Sequence, residues 1–215
     1  EAFRVFARPS VIVLSVATLF TSAIHQHYYF GMGPFLKSTG TPENLIMPLM
    51  SIGQAAEVLM LWLLGRVLAR LGTKRVLIIA LAAQALRFTV FGIGSPFPLV
   101  VAVIAAHGFC YAFFFTASYI YIDEHSTRQA RAGAQQLFTI LIMGIGYFLG
   151  HATAGKLGDW FLDPATNAIN FHLFWAVPAA SAVAIALFLL VAFRAEAPLP
   201  HPAPSPEEVP GAGAV

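Results

Sequence analysis

Six long apolar stretches, separated by short polar connectors, most constrain how this chain can fold. A helix needs about 20 mostly apolar residues to cross roughly 30 Å of hydrocarbon, and each stretch is close to that length. The pattern therefore predicts an all-α membrane protein with six transmembrane helices. The predicted spans are Pro9–Gly33, Leu45–Leu64, Val76–Ile93, Pro98–Ile122, Ala134–Ala154 and Phe171–Phe193.

The composition agrees with a surface that faces lipid rather than water. Hydrophobic residues make up 58% of the 215 residues and charged residues only 10%, whereas soluble domains carry about 25% charged residues. The net charge of +2, with no Lys/Arg cluster interleaved with aromatic residues, argues against a nucleic-acid partner. The single cysteine, Cys110, excludes a disulfide framework and a cysteine-based metal site.

The basic residues predict the orientation of the spans. An excess of Lys and Arg marks cytoplasmic loops, and nine basic residues fall on one side of the predicted membrane, against Lys37 and Lys156 on the other. Both termini are therefore expected in the cytoplasm, with residues 1–8 as a lead-in and the Pro-rich residues 194–215 as a disordered tail. The nine are Arg4, Arg8, Arg66, Arg70, Lys74, Arg75, Arg128, Arg131 and Arg194.

Six spans with both ends in the cytoplasm form half of a common transporter architecture. In that architecture, three-helix repeats of inverted topology are nested within each six-helix half. The first three and the last three spans are expected to be the two repeats. The chain begins with Glu1 rather than Met, and its first residues do not resemble a signal peptide. We therefore expect a second, N-terminal six-helix half as its partner.

Glu57 is the one acidic residue of ten that falls inside a predicted span. A charged side chain at the bilayer centre costs about 2.5–3.5 kcal/mol on insertion scales, so Glu57 should face a cavity, pair with a partner or carry a proton. Gln54 lies on the same helical face, and an amide beside a carboxyl suits hydroxyl- and amide-bearing solutes. A hydrogen bond between helices is the structural alternative, and the depth of the carboxyl favours a function.

Other polar and aromatic side chains in the spans are candidates for the same site. Arg87 would pair with a carbonyl or carboxylate of a neighbouring helix, Glu57 being one option, or contact a solute. His107 could relay protons or donate a hydrogen bond to a neighbouring helix. The aromatic residues that follow it, among them Tyr111 and Phe114, could stack on a planar ring or face lipid.

Glycines in the fifth span permit helices to approach closely. Gly146 and Gly150 form a Gly-x-x-x-Gly pair, a pattern that brings two helix backbones together. This pair indicates packing and could also form the sliding surface of a gate.

An intramembrane metalloprotease is an alternative class. His25 and His27 lie two residues apart in the first span, and on a helix such positions diverge by about 200°. The chain also contains no His-Glu-x-x-His string. The sequence therefore disfavours a metal-dependent enzyme.

Four strings in the spans form a more specific pattern. They are Met50-Ser-Ile-Gly-Gln-Ala-Ala-Glu57, Leu86-Arg-Phe88, His107-Gly-Phe-Cys-Tyr-Ala-Phe-Phe114 and Ala132-Gly-Ala-Gln-Gln-Leu-Phe138. Together they resemble the nucleoside:proton symporter family of the major facilitator superfamily. The resemblance covers all six spans, which would be helices seven to twelve of a complete transporter, and the string ending at Glu57 is its most specific part.

The resemblance implies a proton-coupled nucleoside symporter of the inner membrane, surrounded by lipid and driven by the proton gradient without a cofactor. It implies that Gln26, Tyr29, Gln54 and Glu57 line a nucleoside pocket, and that Glu57 ties proton uptake to solute binding. His107 is then a second proton-coupling candidate. The remaining candidates are Tyr111 and Phe114 for solute contact and Arg66, Arg70, Arg87, Gly146 and Gly150 for structure or gating.

Two positions depart from the family pattern. Ala112 stands where the family often has an acidic residue, and Ala69 replaces the usual Asp of the cytoplasmic loop motif GRVLARLGTKR. The first departure leaves open another small polar solute, such as a sugar, or a non-transporting membrane sensor of the same fold. The second implies a cytoplasmic lock in which Arg66 and Arg70 meet other partners.

Overall fold

Helices dominate residues 2–199, the part of the chain that the computed structural model describes. Strands β1 (Leu162–Asp163) and β2 (Ala168–Ile169) form an antiparallel hairpin before the last helix. Every helix after α1 is long and apolar enough to cross a membrane. The helices are α1 (Ala2–Val5), α2 (Pro9–Ser38), α3 (Glu43–Ile93), α4 (Phe97–Glu124), α5 (Arg131–Trp160) and α6 (Phe171–Ala192).

Helix α3 contains two of the six predicted spans. Gly72 separates its arms, 43–71 and 73–93, with φ 74° and ψ 160°, a conformation essentially restricted to glycine. Each arm has the roughly 20 residues that cross a bilayer, so the predicted all-α, six-span fold is confirmed. The predicted polar connector Gly65–Arg75 is helical on both sides of Gly72, because one non-helical residue is enough to redirect the chain.

Several spans are longer than the apolar stretches that predicted them. Helix α2 continues past Gly33, through Pro34, to Ser38, and α5 begins at Arg131 and ends at Trp160. Hydropathy marks only the hydrocarbon part of a span, whereas the polar headgroup layers add to the total thickness. The helix ends therefore include polar residues that the sequence pattern assigned to loops.

Helices α4 and α5 both change their hydrogen-bonding pattern near the middle. A π-helical segment interrupts each of them, and such segments locally widen the turn. The carbonyl oxygen of Ile142 in the second segment accepts a hydrogen bond from the Ser22 hydroxyl of α2 at 2.9 Å. Helix α4 consists of Phe97–Ile104, His107–Cys110, the π-helix Tyr111–Thr116 and Ala117–Glu124; α5 consists of Arg131–Thr139, the π-helix Ile140–Gly146 and Tyr147–Trp160.

Helices α2 and α3 organise the packing. Helix α3 packs against α4 and α6, and α2 packs against α5 and α6. One apolar cluster includes Phe114 and Phe138, and a second includes Phe88 and Trp175. Large apolar side chains also cover the outside, as at Val191, which is 83% exposed. Such a surface suits a bundle that is surrounded by lipid.

Several predicted cytoplasmic segments meet at one end of the bundle. Helix α1 packs against the start of α5. The Nζ atom of Lys74 donates a hydrogen bond to the carbonyl oxygen of Leu190 at 2.8 Å, and Arg8 lies 3.8 Å from the Glu196 carboxylate. The segments that carry the basic excess therefore share an end, as the predicted topology requires.

The first residues after the last span lie against this end. The backbone N–H of Glu196 donates to the Tyr121 hydroxyl oxygen at 3.1 Å, and that of Leu199 donates to the carbonyl oxygen of Glu124 at 2.9 Å. The neighbouring Ser10 lowers the pKa of Glu196. Residues 194–199, part of the tail predicted to be disordered, are thus bonded to the bundle, and residues 200–215 lie outside the described residues.

Candidate functional site

Polar and aromatic side chains from four helices lie in the neighbourhood of Glu57. Glu57 is half-buried near the middle of the first arm of α3, and Gln54 is exposed one turn earlier. The Glu57 carboxylate is close enough to interact electrostatically with three tyrosine hydroxyls from different helices. These are Tyr29 of α2, Tyr111 of α4 and Tyr147 of α5.

Helix α2 contributes Gln26 and Tyr29 to this cluster. Gln26 is buried and its side chain lies beside the Tyr147 hydroxyl. Tyr29 is 42% exposed and its hydroxyl contacts the Gln54 side chain. The structure thus brings together the four residues that the resemblance places in a nucleoside pocket. The cluster offers one carboxylate, two amides and several aromatic rings, and such groups can bind polar, ring-containing solutes.

Tyr147 is a residue of this cluster that sequence reasoning missed. It directly follows the π-helix Ile140–Gly146, and Tyr111 is the first residue of the π-helix in α4. Single π-helical turns inside α-helices often occur at functional sites. A polar aromatic residue inside an apolar span could have indicated a site at Tyr147. The neighbouring glycines were instead interpreted as a packing motif only.

Gly146 and Gly150 hold α5 against α2 beside the cluster. A Cβ atom at Gly146 would lie 2.5 Å from Oγ of Ser22, and one at Gly150 would lie 2.5 Å from the carbonyl oxygen of Ala23. Neither position has room for a side chain unless the helices separate. The structure therefore places the glycine pair at the close helix contact that its spacing predicts.

Phe114 lies apart from the cluster. Its side chain is fully buried in the apolar core and contacts Phe115, with 5.5 Å between ring centroids. Tyr111, three residues earlier, is only half-buried and is within electrostatic range of Glu57 and Tyr29. Because the π-helical turn is wider than an α-helical turn, residues three apart do not share a face here. The predicted stacking of Phe114 on a solute is therefore not supported by its position.

Arg87 pairs with neither a carboxylate nor a carbonyl among the described residues. Its side chain is fully buried, and Nη1 donates a hydrogen bond to Nδ1 of His107 at 2.7 Å. The guanidinium lies over the rings of Tyr28 and Phe88, at 4.7 and 4.9 Å from their centroids. The predicted pairing, including the optional pair with Glu57, was wrong because an imidazole and two aromatic faces surround this cation.

His107 lies between Arg87 and the cluster. Its Nε2 atom is 3.3 Å from the Tyr29 hydroxyl oxygen, and its ring centroid is 4.8 Å from that of His25. Both ring nitrogens of His107 are therefore engaged, and its connection to Glu57 is indirect, through Tyr29. His25 is a second buried residue of this network whose connection to the fourth span the sequence did not predict.

Arg66 and Arg70 lie away from the cluster, near the end of the first arm of α3. Both are exposed, and the Arg66 guanidinium lies 4.5 Å from the centroid of the Trp62 ring. Neither forms an ion pair with any residue that the structure describes.

An apolar cavity of about 690 Å³ lies elsewhere, between α2, α5 and α6. Phe20, Leu157 and Phe188 are among its lining residues, and none of the residues around Glu57 lines it. Its lining offers little to bind a polar solute. The Glu57 cluster, in contrast, combines polar groups from several helices. Gln54 and Tyr29 are exposed there, so a solute can reach the cluster.

Six spans, close glycine-mediated helix contacts and a polar cluster in the middle of the spans are the architecture of one six-helix half of a major facilitator fold. The sequence profile described as nucleoside H+ symporter matches residues 1–197. The chain therefore belongs to the nucleoside H+ symporter family, a family of transporters and not of enzymes.

Curated relatives agree with this family. The chain is 25% identical to the xanthosine permease of Escherichia coli K12 over 173 residues, which cover 75% of the chain and 41% of the permease. It is 31% identical to the nucleoside permease NupG of the same organism over 117 residues, covering 53% of the chain and 28% of NupG. The putative nucleoside transporter YegT is 30% identical over 144 residues, covering 65% of the chain and 33% of YegT.

Solved structures show the same fold. A D323A mutant of the nucleoside transporter NupG superposes with a TM-score of 0.80 at 24% identity, covering 90% of the chain and 50% of NupG. A second NupG structure gives a TM-score of 0.78 at 23% identity, with 91% and 51% coverage. The chain thus spans no more than about half the length of the relatives it matches.

Proposed function

We propose that this chain is one six-helix unit of a proton-coupled nucleoside symporter of the inner membrane. It would act with a second, N-terminal six-helix unit, and the two would rock around a site near the middle of the membrane. The observation that carries the proposal is a polar grouping near the Glu57 carboxylate: Tyr29 and Tyr147 are within electrostatic range of it, with Gln54 beside Tyr29 and Gln26 beside Tyr147. Family membership and half-length similarity to nucleoside transporters support it.

Glu57 is the residue that couples proton and solute movement in this proposal. Its half-buried side chain has no basic partner among the described residues. While the site is open, water stabilises the carboxylate. When the second unit covers the site, an unpaired carboxylate becomes costly, so closure favours the proton-loaded form. Proton uptake then accompanies enclosure of the solute, and the proton gradient drives accumulation without a cofactor.

The groups around Glu57 suit the parts of a nucleoside. Amides of Gln26 and Gln54 can donate and accept hydrogen bonds, which matches ribose hydroxyls and base edges. The exposed ring of Tyr29 and the half-buried ring of Tyr111 offer faces for a planar base. A sugar would use the same polar groups without ring stacking, so competition between nucleosides and sugars separates these two solute classes.

The gating parts of the proposal lie outside the solute site. Gly146 and Gly150 allow α2 and α5 to remain in close contact while they slide. Arg66 and Arg70 are exposed where their interaction partners would come from the second six-helix unit. Ala112 is fully buried in the core and has only a methyl side chain. In this proposal Glu57 therefore carries the proton without a second acid in the middle of α4, whose two acidic residues, Asp123 and Glu124, lie at its end.

The test is uptake of radiolabelled uridine by the complete transporter, meaning this unit with its partner unit, in vesicles with an imposed pH gradient. We expect Glu57→Gln to lower proton-driven accumulation by about tenfold or more, since each 1.4 kcal/mol of lost coupling is tenfold. Exchange of internal for external uridine should continue, because exchange needs no net proton movement and a neutral amide resembles the proton-loaded acid.

Glu43→Gln is the matched control, because it makes the same change on the same helix. Glu43 is exposed at the start of α3 and forms an ion pair with Lys37, and such surface pairs contribute little. Accumulation should therefore be unchanged in this variant. Gradient-driven accumulation that survives Glu57→Gln would remove Glu57 from the coupling mechanism, and absence of uridine uptake in the unmodified protein would refute the nucleoside proposal.

A further inference from the structure

His107 connects a buried cation to the proposed solute site through two hydrogen bonds. Its Nδ1 atom is 2.7 Å from Nη1 of Arg87, and its Nε2 atom is 3.3 Å from the hydroxyl oxygen of Tyr29. Arg87 and His107 are fully buried, whereas Tyr29 is 42% exposed. The three side chains form a row that leads from the interior of the bundle to the site.

The chemistry of Arg87 sets the direction of these hydrogen bonds. A guanidinium carries five N–H donors and no acceptor, and it remains protonated in proteins. Nδ1 of His107 must therefore accept, which requires it to be unprotonated. A neutral imidazole carries its proton on the other nitrogen, so Nε2–H donates to the hydroxyl oxygen of Tyr29.

The surroundings of His107 oppose a second proton on its ring. That proton would place N–H against N–H at the 2.7 Å contact with Arg87. The rings of His25 and Tyr28 lie at 4.8 and 5.0 Å from the His107 ring, and neither carries a negative charge. No carboxylate among the described residues is hydrogen-bonded to Arg87 or His107, so nothing there compensates an additional positive charge.

The same direction continues at Tyr29. Its hydroxyl oxygen accepts from His107, so its single hydrogen points elsewhere. The Gln54 side chain lies beside this hydroxyl, and the remaining surroundings belong to the open face of the site. The hydrogen is therefore available to an acceptor atom of a bound solute.

We propose that Arg87 and His107 are positioning residues that hold Tyr29 as a hydrogen-bond donor toward the solute. This part of the site then selects an acceptor, such as a hydroxyl or carbonyl oxygen of a nucleoside. The inference rests on the proposed function for the identity of the solute. It replaces the proton relay that the sequence suggested for His107, because protonation of Nδ1 would break the bond to Arg87.

The first test reads the tautomer directly. The complete transporter is labelled with ¹⁵N-histidine, reconstituted in lipid and studied by solid-state NMR at neutral pH. The His107 signals are identified by their proximity to the Tyr28 and Tyr29 rings and by their loss in His107→Asn. We expect a protonated Nε2 and an unprotonated Nδ1. A proton on Nδ1, or on both nitrogens, overturns the proposal.

The second test asks whether His107 acts through Tyr29. His107→Asn retains a carbonyl group near the position of Nδ1 for Arg87, but its amide is too short to reach Tyr29. Tyr29→Phe removes the hydroxyl. Each change should raise KM for uridine uptake by about tenfold. The double variant should also raise KM by only about tenfold, because both changes remove the same interaction. A KM raised by the product of the two single effects would show independent action and would overturn the proposal.

A control variant and the NMR measurement distinguish failure of this inference from failure of the proposed nucleoside transport. His151→Asn makes the same substitution at an exposed position of α5 and should leave KM unchanged. The NMR measurement requires no solute, so it decides the hydrogen-bond direction even if the unmodified protein transports no nucleoside. In that case the proposed function fails, but the NMR measurement still shows whether His107 donates to Tyr29.

Discussion

Gly108 sets the distance between α4 and the backbone that carries Glu57. A Cβ atom at Gly108 would lie 2.6 Å from the carbonyl carbon of Ala56 and 2.6 Å from the nitrogen of Glu57. Backbone atoms cannot rotate away from a new methyl group, so the helices must separate. We predict that Gly108→Ala lowers the free energy of unfolding by about 1–3 kcal/mol and reduces uptake, as measured by thermal melting in detergent and by vesicle transport.

The matched control for this prediction is Gly155→Ala. Gly155 is helical, in α5, and a Cβ atom there would have nothing within 4 Å. Alanine is favoured over glycine in a helix by about 1 kcal/mol, so this variant should melt at the same or a slightly higher temperature. Equal melting temperatures for the Gly108→Ala and Gly155→Ala variants would show that the close backbone contact beside Glu57 does not contribute to stability.

The sequence predicted the importance of some single residues but not the contacts of others. Glu57 stood out because a carboxyl within an apolar span is conspicuous without knowledge of the fold. The contact between Arg87 and His107 depends on which faces of two distant helices meet, and sequence spacing does not contain that information. Tyr147 was missed for the same reason, since its meaning comes from Gln26 and Glu57 on other helices.

At the level of elements, Gly72 determines how α3 is divided into two spans. Its φ of 74° with ψ of 160° is strained for any residue with a side chain, at a cost of about 1–3 kcal/mol. We predict that Gly72→Ala lowers the melting temperature. Gly65→Ala, seven residues earlier in the helical part, should raise it slightly or leave it unchanged, because a Cβ atom there meets nothing within 4 Å. Equal melting temperatures for the two variants would contradict this role of Gly72.

The existence of the helices could be predicted, but their internal irregularities could not. Length and apolar content are local properties, so the six spans followed from them. The π-helix Ile140–Gly146 is accompanied by a hydrogen bond between Ile142 and Ser22 of another helix, and the end of α5 at Trp160 depends on polar residues that hydropathy assigns to a loop. The first feature involves a tertiary contact and the second involves polar residues in the headgroup layer, and the apolar pattern carries no signal for either.

At the level of the whole molecule, the charge pattern of the sequence and the packing of the structure agree on which segments share one side of the membrane. The basic segments gather at one end of the bundle, where Arg8 meets Glu196 and Lys74 bonds to Leu190. The β1–β2 hairpin connects α5 and α6 at the end of α5 that lies away from the α1 contact. Because basic residues are retained on the cytoplasmic side, the hairpin should lie on the opposite side of the membrane.

Single-cysteine labelling checks this orientation. The chain's one cysteine, Cys110, is fully buried, so it gives little background when the partner unit is free of cysteine. Ala165→Cys in the hairpin and Gln129→Cys in the connector before α5 both place a thiol at an exposed position. A membrane-impermeant maleimide should label the first in cells with an intact inner membrane and the second only after that membrane is opened. The reverse pattern would invert the bundle and place the basic end outside, against the charge rule from which the orientation was predicted.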